Sequence, residues 1–151
     1  MPDKTFGFEK PEDSPGFLLW QTTITWQRLI KKALDPYQIS HAQFVILAIV
    51  LWFEGINEEP TQVLIVRQSK LDKMTVSKSL KKLTDLGLIK RAEHEKDSRA
   101  KSVWVTVKGK TLAAKLVSIV EKIDAKFFGV MAVKDQRQFV NLLNCITSRN
   151  E

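Results

Sequence analysis

Over residues 72–107 the hydrophobic period switches from helical to alternating, and that switch constrains the fold more than any other feature of the chain. Asp72 precedes Val76, Leu80 and Leu83, whose spacing of 4 and 3 puts them on one helix face. Gly87 stands just past the last apolar position, where a left-handed residue closes a helix. The spacing therefore predicts a helix capped by Asp72, reaching Leu86, with Gly87 at C′. Two β-patterned pieces follow, residues 88–93 and 102–107, the second with Val103, Val105 and Val107 in strict alternation. The polar stretch 94–101 between them is long enough for an extended hairpin tip.

The rest of the chain reads as helices. Residues 17–34 have a helical pattern, with Leu19, Trp26, Leu29, Ile30 and Ala33 available for burial. The Asp35-Pro36 step is expected to end that helix, because a residue before proline avoids the α region. Ser40 reads as the N-cap of a second helix through Phe44, Leu47, Leu51 and Phe53, stopped by Gly55. Pro60 or Thr61 opens a third, to about Gln68. Thr106 caps a long helix on Leu112, Leu116, Ile119, Ile123 and Phe127, closed by Gly129. A last one runs from about Lys134 to Ser148 on Phe139, Leu142, Leu143 and Ile146. Residues 1–15, with Pro2, Pro11 and Pro15, are expected to form an irregular arm. Four helices, a hairpin and two helices make a mainly α domain with a small β-hairpin. A helix-turn-helix followed at once by a hairpin is a winged helix.

Charge points to the kind of partner. The net charge is +7, yet residues 67–110 alone carry +8 and the remainder −1. A polyanion would be drawn to the middle of the chain. On the fourth helix, Lys81, Met74, Asp85, Lys78 and Lys82 lie opposite the apolar stripe, with Thr75 and Ser77 flanking. Cations for phosphate beside short hydroxyls for base edges are what a major-groove helix presents. At the hairpin tip, Lys96, Arg99 and Lys101 surround Asp97 and Ser98. Arg99 there is suited to a narrow A·T-rich minor groove.

Other functions find little support. The longest apolar run, residues 44–53, is half of what a membrane span needs, roughly 20 residues. Charged residues from Lys4 to Asp13 argue against a secretory signal. The single cysteine, Cys145, is incompatible with an internal disulfide framework, which favours a cytoplasmic location; the residue reads as structural. His94 among Glu93, Glu95 and Asp97 cannot converge on a metal, since neighbours on a strand face opposite ways. No nucleophile–base order, phosphate loop or zinc-protease motif is present, so no enzyme, cofactor or metal is expected.

Several segments together resemble the MarR family of bacterial transcription regulators: LDKMTVSKSLKKL at 71–83, GLIKR at 87–91, DSR at 97–99, VTVKG at 105–109, and LDPYQIS at 34–40 followed by AQF at 42–44. The resemblance covers residue 16 onward. In the third helix, TQVLIV at 61–66 carries Ile65 where the family usually has alanine. The resemblance implies a homodimer whose first and last two helices (16–34 and 108–148) form the interface. It also implies that the lobe 40–107 binds an inverted-repeat site on double-stranded DNA, and that a small-molecule effector weakens that binding.

The expected DNA-binding residues are Lys73, Met74, Thr75, Ser77 and Lys78 on the groove side, Lys81, Lys82, Arg91 and Lys101 toward phosphate, and Arg99 in the minor groove. Trp20, Ile24, His41 and Phe44 are the residues expected to line an effector pocket. The rival reading is a winged-helix assembly module whose basic face binds an acidic protein.

Overall fold

A computed structural model describes residues 5–93 and 101–151. Its elements are α1 (Pro15–Leu34), α2 (His41–Gly55), α3 (Gln62–Ser69), α4 (Lys73–Asp85), β1 (Ile89–Glu93), β2 (Lys101–Val105), α5 (Val107–Phe128) and α6 (Val133–Arg149). The element order is the one read from the sequence. Side-chain caps explain where most helices begin. Ser14, Thr61, Asp72 and Thr106 each accept an amide of their helix's first turn. Ser40 and Gln43 form a reciprocal capping box at α2. Each cap satisfies an amide that the helix itself cannot.

α1 ends at Leu34 and α2 at Gly55, as expected, but not by the expected backbone conformations, and two further expectations fail. Asp35 sits in the right-handed helical region (φ −51°, ψ −43°), its amide still bonded to the Lys31 carbonyl. The chain continues through a 3₁₀ turn, Asp35–Tyr37, and is turned by Gln38 at φ 57°. The pre-proline restriction is only a bias, and the helix-end hydrogen bond outweighs it. Gly55 remains helical; Asn57 takes the left-handed conformation, as asparagine tolerates. Val107 is not in the strand: Thr106 caps α5 and lifts the chain off the sheet, leaving Val107 87% exposed. Leu19 and Leu29 are exposed, and α1 gives Ile30, as expected, and Leu34 to the core. The arm ends in one 3₁₀ turn, Pro11–Asp13.

The core gathers around α2. Ile46, Leu47 and Val50 meet Ile65 of α3, the predicted stripe Val76, Leu80 and Leu83 of α4, and Leu116 of α5, all fully buried. Ile65 is thus accommodated whole where the resemblance expects alanine. The hairpin is antiparallel, Ile89 opposite Val105 and Arg91 opposite Val103. Thr61 bridges to Ser102, and the Val103 amide donates to the Pro60 carbonyl (2.9 Å), so the start of α3 is stitched to β2.

The turn from α4 into β1 is locked from two sides. Gly87 is left-handed (φ 73°), with its amide on the Thr84 carbonyl and the Leu88 amide on the Leu83 carbonyl, a Schellman closure. From α5, the Thr106 hydroxyl donates to the Gly87 carbonyl (2.7 Å) and Lys108 Nζ to the Leu86 carbonyl (2.9 Å). Gly109 passes directly against the Leu88 backbone. The VTVKG segment is the weld that holds α4 and the hairpin to the first turn of α5.

Candidate nucleic-acid interface

With Val76, Leu80 and Leu83 fully buried, the opposite side of α4 is committed to solvent. Lys73, Met74, Ser77, Lys78, Lys81 and Lys82 are all exposed there. Lys81 pairs with Asp85 one turn on (3.2 Å), an exposed pair that competes weakly with a phosphate. Thr75 is half-buried. Its hydroxyl donates to Asp72 (2.6 Å), which leaves it lone pairs but no hydrogen for a base edge. The Thr75 hydroxyl and amide together hold the Asp72 carboxyl below the usual carboxylate range. The cap is therefore ionised at neutral pH, opposite the positive helix end.

Beside this face runs a cleft of about 550 Å³ between α3, α4 and the hairpin. Lys73 and Ser77 line it from α4, Arg91 and Lys101 from the strands, and Thr61, Gln62 and Val63 from the start of α3. Register explains the meeting of the two strand cations: Arg91 faces Val103 and Glu93 faces Lys101, which puts Arg91 and Lys101 on one face of the hairpin. The contribution of α3 was missed from sequence, where Pro60 or Thr61 marked only the start of that helix. Arg99, with Lys96, Asp97, Ser98 and His94, lies outside the described residues.

A second cleft, about 610 Å³, opens where α1 meets the start of α2. Ile24 and His41 line it. Trp20 and Phe44 do not: Trp20 is 65% exposed on the outer side of α1, and Phe44 is buried in the core. Gln27, Arg28 and Lys31 of α1 line it too, with Lys31 paired to Asp35 (2.9 Å), and Gln38, Ile39 and Ser40 complete the wall. Gln27, Arg28 and Lys31 share a face with Ile24 at helical spacing, a signal present in the sequence.

His41 ties the three helices together here. Its ring meets Trp26 of α1 edge-on (centroids 5.1 Å), and Trp26 Nε1 donates to Asp124 of α5 (2.8 Å). Burial pushes the His41 imidazole below its ordinary value, with the Asp124 carboxylate opposing in part. The folded protein thus prefers neutral His41. Below about pH 6.5 the unfolded chain takes up the proton first, so stability falls from there down to the folded pKa. Above pH 6.5 both states are neutral and the residue adds no slope. Melting measured from pH 7.5 to 5 should show this loss in the wild type and a flatter profile in His41→Gln; identical slopes would contradict the assignment.

The terminal helices are differently placed. No residue of α6 is buried, and Val140, Leu142 and Ile146 are each more than half exposed, as are Leu19 and Trp20 on α1. Cys145, expected to be structural, is exposed. Among the described residues no group of three or more His, Cys, Asp or Glu is arranged to hold a metal, and no single helix is long and apolar enough to cross a membrane.

A helix-turn-helix, a hairpin beside it and a cationic outer face on the second helix define a winged-helix DNA-binding regulator. Comparison with known proteins agrees. The model of the ArnR1-like, winged-helix domain matches residues 35–123. An uncharacterized HTH-type transcriptional regulator of Bacillus subtilis, YdcH, is 36% identical over 128 residues, 85% of this chain and 87% of its own length. A MarR transcriptional regulator from Methanosarcina mazei superposes with a TM-score of 0.74 at 26% identity, over 89% of this chain and 94% of that one. The S. aureus MepR-DNA complex shares the fold at a TM-score of 0.81 and 20% identity, covering 91% and 99%. The chain belongs to the MarR family of winged-helix transcription regulators.

Proposed function

We propose that the protein is a homodimeric, ligand-responsive repressor that binds an inverted-repeat site on double-stranded DNA in the cytoplasm. The observation that carries the reading is the outer face of α4, whose exposed lysines flank the cleft formed with the hairpin. In this reading Lys73, Met74, Thr75, Ser77 and Lys78 face base edges. Lys81, Lys82, Arg91 and Lys101 neutralise phosphates, and Arg99 enters the minor groove. A 17-residue helix without one buried side chain supports the dimer, because so short a helix is marginal in water without a packed face. A second copy of α1, α5 and α6 supplies that face. The cleft lined by Ile24, Ile39, Arg28 and His41, with Lys31 paired to Asp35 (2.9 Å), suits a small effector with an apolar body and a polar group toward Arg28. It lies at the joint of α1 with the DNA-binding lobe, where an occupant alters the lobe's position and weakens binding.

Selection of bound fragments from a random duplex library tests this. The recovered consensus is expected to be an inverted repeat with half-site centres about one helical turn, 34–36 Å, apart. Affinity should fall steeply with salt, with a slope of about −0.9 per phosphate neutralised. Lys82→Ala should weaken all duplexes alike and reduce that slope by about 1. A flat salt response on duplex, with tight binding to an acidic protein, would favour the assembly-module reading instead.

A further inference from the structure

We infer that Met74 reads the 5-methyl group of a thymine in the major groove, making thymine preferred at one position of each half-site. The inference rests on the docking proposed above, in which the first turn of α4 enters the groove. Of the four large apolar side chains on α4, Val76, Leu80 and Leu83 are fully buried, whereas Met74 is 66% exposed. It has no part in the core. Its neighbours at helical spacing are Ser77, Lys78 and Lys81, all exposed, so Met74 stands in the middle of the polar face that meets DNA.

Direction and chemistry select its contact. Helical side chains lean toward the N-terminus, so Met74 extends over the first turn, the end of a recognition helix that reaches base edges. Beside it, Thr75 has spent its hydroxyl hydrogen on Asp72. The thymine methyl is the distinctive apolar feature among the groups that base pairs present in the major groove, the others being hydrogen-bond donors and acceptors. An unbranched thioether with three rotatable bonds can close on that methyl and remove both from water.

The full chain is first used to recover its consensus duplex from a random library. Each thymine of one half-site is then replaced singly by deoxyuridine, which lacks the methyl and keeps every hydrogen-bonding group. Wild type should lose about fourfold in affinity at one position, the equivalent of one buried methyl at about 0.8 kcal/mol. Met74→Ala should bind thymine and uracil equally at that position, and Met74→Leu should retain part of the preference. Both variants should melt with the wild type, since the side chain lies outside the core. A consensus half-site without thymine, a wild type indifferent to every replacement, or a preference that survives in Met74→Ala overturns the inference while leaving DNA binding intact. Failure of the wild type to recover any duplex overturns the docking reading, and this inference with it.

Discussion

Gly109→Ala is expected to destabilise the protein by about 3 kcal/mol, the upper part of the range for forcing atoms into a packed site. A Cβ at that position would lie far inside contact distance of the Leu88 carbonyl oxygen and carbon, which are backbone atoms and cannot rotate aside. The same Leu88 carbonyl accepts the Thr106 amide (3.0 Å), so moving it breaks the weld that holds the hairpin to α5. For a domain of this size the melting temperature should fall by roughly 6–12 °C. Gly16→Ala in α1 is the control. A Cβ there meets nothing within 4 Å, and alanine favours a helix, so stability should hold or rise slightly. Equal, small effects at both positions in a denaturation series would show that the close approach does not constrain the fold. Because the hairpin is seated by this contact, duplex affinity should drop along with stability.

The second large effect concerns association. Leu142→Glu with Ile146→Glu puts two carboxylates on adjacent turns of the exposed face of α6. Burying them against a second copy would strand unpaired charge in an apolar contact. Light scattering at micromolar concentration should report a monomer for the double variant and a dimer for the wild type. The core should survive, since neither residue is buried in the single chain. Losing the link between two half-site readers removes an effective-concentration advantage of about 10²–10⁴, and affinity for the inverted repeat should fall by that factor. Affinity for an isolated half-site should hardly change. A double variant that remains dimeric, or a wild type that is monomeric, would sink the proposed assembly.

What was legible in the sequence is what short-range physics decides. Helical period placed Val76, Leu80 and Leu83 in the core and turned the lysines of α4 outward. Cap chemistry located Ser40, Asp72 and Thr106, and Gly87 closed α4 in the left-handed conformation that only a residue without Cβ adopts freely. These depend on neighbours within one or two turns, so a single chain displays them. Tertiary structure alone decided the rest. Trp26, His41 and Asp124 meet although Trp26 and Asp124 are 98 positions apart, and no period in the sequence connects them. Trp20 was expected beside Ile24 and His41 because the family resemblance implies a pocket where the first two helices meet the DNA-binding lobe; the rotation of α1 about its axis is set by how Ile30 and Leu34 enter the core, and that turns Trp20 outward. Val107 continued an alternating pattern, but the cap on α5 took it out of the sheet. The glycine of VTVKG was visible as a motif, while its reason, a backbone-to-backbone approach at Leu88, exists only once α5 packs across the hairpin. Periodicity reports which face of an element is apolar. Which neighbour that face meets depends on side-chain packing among elements far apart in the chain, and only the folded arrangement settles it.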